Sequence, residues 1–279
     1  MTNSQKHIEY NYSGQRYRIY YQGWLPEQDP KAILVVVHGL AEHGGRYRRL
    51  AERLVTAGYG VFALDHQGHG RSQGRPGYVV RFEEYLSDIK IFCDILRGTY
   101  PGIRIFLLGH SLGGTIATAY AIRHQEEIAG LALSGATLKP GKNVSRMMVT
   151  AARLLGQLLP RLGVSLIDVD LLSRDPAVVA AYLNDPLVHH GKISYRLGAE
   201  ILRGMEKIRR DMSRLKLPML IMYGTADRLC DPAGSEMLFN GVGSDDLTIK
   251  RYAGLYHEIF NEPEYATVFN DLKNWLDRL

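Results

Sequence analysis

The sequence predicts an α/β fold, with a mostly parallel central sheet flanked by helices and interrupted once by a helical insertion. Three observations carry this. Short apolar runs alternate with amphipathic stretches in β-α-β-α order, the pattern of a parallel sheet covered on both faces. The chain has 279 residues and 46% hydrophobic content, enough to bury one large core and too much for intrinsic disorder. Between residues 137 and 208 the alternation lapses, leaving helical spacing without a clear core strand.

The elements follow in order. Residues 8–12 and 16–22 read as a hairpin turning at Ser13-Gly14. Ile33 to Val37 is a β-branched run suited to a strand buried on both faces. Arg46 to Thr56 has helical spacing and stops at Gly58, and Gly60 to Leu64 is the next core strand. Phe82 to Tyr100 repeats apolar residues at helical spacing and ends before Pro101. Ile103 to Leu108 is a strand, Leu112 to His124 a helix and Ile128 to Ser134 a strand. After the lapse come Met219 to Tyr223 (strand), Pro232 to Asn240 (helix), Leu247 to Tyr252 (strand) and Glu262 to Leu279 (helix). Residues 1–136 and 209–279 are therefore expected to form the core, and residues 137–208 a helical cap.

Composition narrows the setting. Two cysteines, Cys93 and Cys230, are too few for a disulfide framework and fit a reducing compartment. The start, Met1 to Gln15, lacks the charged-then-apolar order of a signal peptide, and no apolar run approaches the roughly 20 residues of a spanning helix. These features lead to the expectation of a cytoplasmic protein, with peripheral membrane contact left open. The net charge is +5, concentrated at Arg46, Arg48, Arg49 and Arg53 and again from Arg203 to Lys216. Solvated helix faces explain this, as does attraction to anionic lipid headgroups. Nucleic-acid binding is not expected, because no aromatic-interleaved basic motif accompanies the charge.

Gly109-His110-Ser111-Leu112-Gly113 satisfies G-x-S-x-G. An apolar strand stands directly before it and a helical run directly after. Such a turn holds its central residue at strained φ/ψ, projects the hydroxyl above the sheet and aims a helix N-terminus at developing negative charge. Ser111 is thus the candidate nucleophile. A serine hydroxyl needs an adjacent base, and in this arrangement an acid and then a histidine follow in chain order. Asp227 lies in the loop after the 219–223 strand, and His257 in the loop after the 247–252 strand. His257 would take the serine proton, and Asp227 would fix its tautomer. Asp231 competes for the acid role but precedes Pro232 and suits a helix cap.

The oxyanion hole requires two preplaced N–H donors. Leu112 follows the nucleophile, and Leu40 lies in the loop after the first parallel strand. His38, in the same loop, reads as structural rather than as a second base. No cofactor is implied, since neither a phosphate loop nor a dinucleotide fingerprint appears. His66, His69, His189 and His190 lack a carboxylate or cysteine cluster at metal-ligand spacing.

At this point the sequence resembles the monoacylglycerol lipase (lysophospholipase-like) family of α/β hydrolases along nearly its whole length. The carrying segments are His38 to Tyr47, Asp65 to Ser72, Leu108 to Gly114, Asp185 to Val188, Asp227 to Asp231 and His257 to Glu262. The resemblance implies the α/β-hydrolase fold, a Ser111-Asp227-His257 triad, and an oxyanion hole from the Leu40 and Leu112 N–H groups. It also implies that Glu42 and Arg46 shape the polar end of the pocket near a glycerol headgroup. There are departures: Leu112 stands where many members have Met, and Phe260 where mammalian members have a second His. Cys230 matches a family cysteine close to the acid.

The cap decides what fits. Met147, Met148, Ala151, Leu154, Leu155, Leu158 and Leu159 keep helical spacing up to Pro160. Either this face buries on the core, or it belongs to a lid that lines an acyl tunnel or rests on a membrane. The expected activity is hydrolysis of a small ester or single-chain lipid, without cofactor. Alternatives are a broad carboxylesterase for short esters, an acyltransferase using the same triad, and a catalytically silent ligand-binding relative.

Overall fold

The computed structural model describes residues 6–141, 144–165 and 168–279. Residues 1–5 of the stretch tested above for a signal peptide lie outside the described residues.

Eight strands form one sheet: β1 (Lys6–Ser13), β2 (Arg18–Leu25), β3 (Ile33–Val37), β4 (Gly60–Leu64), β5 (Ile105–His110), β6 (Gly130–Ser134), β9 (Met219–Gly224) and β10 (Leu247–Tyr252). Their order is β1-β2-β4-β3-β5-β6-β9-β10. Strand β2 runs antiparallel to both its neighbours, β1 and β4, and every pair from β4 to β10 is parallel. Strands β3, β4, β5, β6 and β9 are buried at every residue, which is why their sequences read as continuous apolar runs rather than alternating ones.

Helices cover both faces. On one side α2 (Glu83–Thr99) and α3 (Leu112–His124) pack with Ile89, Phe92, Ile116 and Tyr120 against Val35, Leu107 and Leu131. On the other, α1 (Arg48–Thr56) and α8 (Tyr265–Arg278) bring Leu54, Leu272 and Trp275 onto Leu34, Phe106 and Ala132. Alternate residues of one strand thus supply two separate cores, as the period of two dictates. Another core helix, α7 (Pro232–Gly241), starts at a proline and is capped by Asp231, whose side chain accepts the Ala233 N–H.

Several boundaries differ from the sequence expectation for local reasons. The first helix is preceded by a short 3-10 turn, Gly44–Tyr47, so regular helix begins at Arg48. Strand β5 continues to His110, which places Ser111 directly at its end. A 3-10 turn at Ile259–Asn261 and an extended Glu262 delay α8 to Tyr265.

Between β6 and β9 lie α4 (Arg146–Leu158), α5 (Pro176–Asn184) and α6 (Tyr195–Asp211), with a two-residue ladder of β7 (Gly163–Val164) and β8 (Ile193–Ser194) apart from the main sheet. Helix α6 runs through residue 208 and is fastened to the core. Buried Glu200 accepts the Phe82 N–H at 3.0 Å, and a Cβ at Gly204 would meet the Phe82 ring. Its basic residues are largely paired, Arg203 with Glu200, Lys207 with Glu83 and Arg210 with Asp211. Helix α4 lies against α6 through Gly156 and turns its apolar side outward, with Met147 78% and Leu158 75% exposed. No helix among the described residues is long and apolar enough to cross a membrane.

Candidate active site

Parallel pairing puts the C-terminal ends of the central strands at one level. Val37 pairs with Gly109, His110 with Ser134 and Tyr252 with Gly224. The loops leaving these ends meet, as open α/β sheets require of a site.

Ser111 stands between β5 and α3 at φ 52 and ψ −121. Among the described residues only one other non-glycine, Ala41, has positive φ, and it lies in the loop after β3. Both strained residues therefore sit where the two loops face each other. Gly113 makes the elbow sterically possible, because a methyl group there would overlap the Val37 carbonyl. The Leu40 and Leu112 N–H groups donate to no acceptor among the described residues.

His257 is buried, and its Nδ1–H donates to Asp227 Oδ2 at 2.8 Å. The other Asp227 oxygen accepts the Leu229 and Cys230 N–H groups, each at 2.9 Å, so the carboxylate is fixed on both sides. Burial by itself would lower the imidazole's pKa. The Asp227 charge overrides it and holds His257 well above the usual histidine value. The Ser111 hydroxyl is turned toward Thr137 Oγ1 at 3.3 Å and Cys230 Sγ at 3.9 Å. Asp227, Cys230 and His257 bring donor atoms within 4.8 Å of one another, a spacing a metal could use. With Nδ1 and both Asp227 oxygens already hydrogen-bonded inside the protein, the arrangement is that of an oriented base.

Beneath these groups lies a polar layer that sequence reasoning reached only in part. Glu42 Oε1 accepts the Gly39 N–H at 2.6 Å and the Tyr47 hydroxyl at 2.7 Å, and Oε2 accepts from Arg46 at 2.8 Å. Arg46 also donates to both oxygens of Glu258, at 2.6 and 2.8 Å, and lies over the Tyr182 ring of α5. Burial would push the Glu258 carboxyl up, but Arg46 lowers it to about 2. Glu258 stood in the sequence merely as the neighbour of His257. A buried partner for Arg46 from 212 positions away leaves no local pattern to detect.

His38 is fully buried, as its structural reading required. Its Nδ1–H donates to the Gly39 carbonyl and its Nε2 accepts the His66 N–H. With His66 and His69 it forms a ring cluster under the loop, with centroids 4.2 and 5.3 Å from His38. Burial holds all three neutral, with His66 lowered to about 3 and His69 to about 4. The insertion reaches the same loop. His43 Nε2–H donates to Asp185 at 2.8 Å, and the His189 N–H donates to the Ala41 carbonyl at 2.8 Å.

Comparison with known proteins agrees with this architecture. Residues 28–264 match the Hydrolase_4 family, described as serine aminopeptidase, S33. A monoacylglycerol lipase of Mycolicibacterium smegmatis is 40% identical over 93% of this chain and 92% of its own. The human monoglyceride lipase is 37% identical over 91% of this chain and 85% of its own. The crystal structure of the Paleococcus ferrophilus monoacylglycerol lipase superposes with a TM-score of 0.83, is 36% identical and covers 98% of both chains. The elbow, the buried His–Asp pair and these similarities together identify the chain as a serine ester hydrolase that belongs to the monoacylglycerol lipase family of α/β hydrolases.

Proposed function

We propose that the chain hydrolyses monoacylglycerols and similar single-chain esters, with Ser111 as nucleophile, His257 as general base and Asp227 as the group that orients it. The observation that carries this reading is a strained Ser111 at a helix N-terminus beside Cys230, which itself lies within 4.8 Å of the donor atoms of a buried, fully oriented His257–Asp227 pair. Rotation of the Ser111 hydroxyl toward His257 lets the imidazole take its proton as Oγ attacks the ester carbonyl. The Leu40 and Leu112 N–H groups then receive the negative oxygen, and each such donor is worth about 2.7–4 kcal/mol. The imidazolium returns its proton to the departing alcohol, and water, activated by the same base, releases the fatty acid.

Helix α4 and the rest of residues 137–208 serve as the cap in this reading. Its outward Met147, Met148, Leu154, Leu158 and Leu159 suit transient contact with a lipid surface, where such substrates reside.

Initial rates over p-nitrophenyl esters of increasing acyl length, measured beside monoacylglycerols, test the substrate. Rates should rise from short to medium or long chains, at about 0.8 kcal/mol per buried methylene. A sharp preference for acetate esters would sink the lipid assignment and leave the mechanism standing. A fluorophosphonate probe that failed to attach to Ser111 would remove the mechanism too.

A further inference from the structure

The family resemblance puts Arg46 near a headgroup, yet its guanidinium is already committed inside the protein. Its side chain is 11% exposed, and Glu42 and Glu258 are 5% exposed each. One nitrogen, Nη1, donates to both carboxylates, and Nη2 completes a two-pronged contact with Glu258. Arg46, Glu42, His110, Glu258, Phe260 and Asn261 border a cavity of about 20 Å³. That is space for one water and too little for a three-carbon polyol.

The two carboxylates belong to different halves of the site. Glu42 lies in the loop after β3, and through the Gly39 N–H it fixes the His38–Gly39 peptide, one before the peptide that carries the Leu40 N–H. Glu258 follows His257 directly, and its own N–H donates to the Leu172 carbonyl of the insertion at 2.8 Å. The guanidinium is the tie between them. Without it, two buried carboxylates would face each other unscreened and drive the loops apart.

We propose that Arg46 is a positioning residue that sets the spacing between the Leu40 N–H and His257, with Glu258 as its anchor on the base side. The inference rests on the reading of Ser111, His257 and Leu40 given above. A displacement of about 1 Å between reacting groups can cost on the order of 100-fold in rate, so the tie acts on kcat. A headgroup ligand would instead act on the binding of glycerol esters alone.

Arg46→Ala, Arg46→Lys and Glu258→Gln in the full chain, assayed on a p-nitrophenyl ester and a monoacylglycerol, separate these cases. The p-nitrophenyl leaving group has no glycerol to recognise. Arg46→Ala should lose on the order of 100-fold in kcat on both esters with KM little changed. Millimolar guanidinium ion should restore part of it. Glu258→Gln should lose less, again equally on both. Arg46→Lys keeps the charge but not the two-pronged contact, and should fall between. If Arg46→Ala does not fold, Arg46→Lys and Glu258→Gln decide. A rise in KM confined to the monoacylglycerol, or wild-type rates in folded Arg46→Lys and Glu258→Gln, would overturn the proposal. Wild-type hydrolysis of the p-nitrophenyl ester alone would overturn the substrate and leave the tie testable.

Discussion

Thr137 Oγ1 lies 2.9 Å from Cys230 Sγ, and the Ser111 hydroxyl rests against both. The thiol thus lies beside the Ser111 hydroxyl on one side and within 4.8 Å of the Asp227 and His257 donor atoms on the other. The mechanism proposed above assigns it no proton transfer. Cys230→Ala should keep kcat within a few-fold. N-ethylmaleimide should abolish hydrolysis by the wild type, because a bulky group at this position blocks the hydroxyl's turn toward its base, and should spare Cys230→Ala. Equal inhibition of both proteins would refute the blocking argument.

Asp227→Asn should cost roughly 10⁴-fold in kcat, by releasing the imidazole to the wrong tautomer. The pH profile gives a second reading. A raised His257 pKa means the base is charged, and idle, until the pH climbs above the ordinary value near 6.5. Wild-type kcat/KM should therefore have its acid limb above that pH, and Asp227→Asn should move the limb lower. For stability the sign is opposite. The charged pair contributes fully below pH 6.5, and its contribution is lost as pH rises through the raised value. An acid limb that stays fixed in the variant would contradict the assignment of Asp227 as partner.

Asp88 is buried in α2 and accepts the Gln15 N–H at 2.7 Å, pinning the hairpin turn to the helix. Burial raises it to about 7, partly opposed by the Gln15 hydrogen bond and reinforced by Glu84. A raised carboxyl binds its proton more tightly in the folded protein. Its stabilising effect is complete below the unfolded pKa and lost as pH rises from about 4 to 7, by at most about 4 kcal/mol. Asp88→Asn keeps the acceptor without the charge. Its Tm should equal or exceed that of the wild type at pH 8, with the advantage smaller at pH 5 and gone below about pH 4. A variant less stable at pH 8 would show that the carboxylate is needed ionised.

Gly113→Ala should destabilise by about 3 kcal/mol or more, since the methyl meets the backbone carbonyls of Val37 and His38 rather than a yielding side chain. Thermal unfolding measures this. Gly98→Ala, a helix position in α2 where nothing lies near the added methyl and φ is not positive, provides the comparison without the clash. Similar losses in both would show that packing at the elbow adds nothing.

On α4, Met147→Ser with Leu158→Ser should lower rates on micellar or vesicle-borne monoacylglycerol while leaving a soluble short ester unchanged. Both side chains are exposed, so thermal stability should hold. A matching loss on both substrates would place these residues in folding rather than in surface contact.

Much of this arrangement was legible in the chain. Ile33–Val37 and Gly60–Leu64 matched their strands to the residue because a strand buried on both faces leaves an unbroken apolar run. Asp227 and Asp231, four residues apart, were separable by chemistry. One ends a strand loop and the other precedes a proline, and the structure gives the first to His257 and the second to a helix cap. Side-chain partnership across the fold was not legible. Glu258 on one segment, and Tyr182 and Asp185 on another, converge on the loop after β3, and no periodicity announces such meetings. The outward turn of α4 was equally hidden. Its spacing fixes which residues share a face, but Gly156 settles which side meets α6.

The positive φ at Ser111 has a consequence for any attempt to harden this protein against heat. A residue held in that region costs of order 1–3 kcal/mol, and glycine would relax much of it. Selection on survival alone would therefore favour chains that have lost the Ser111 hydroxyl. Activity must be screened at every round, because at this one position durability and chemistry pull in opposite directions.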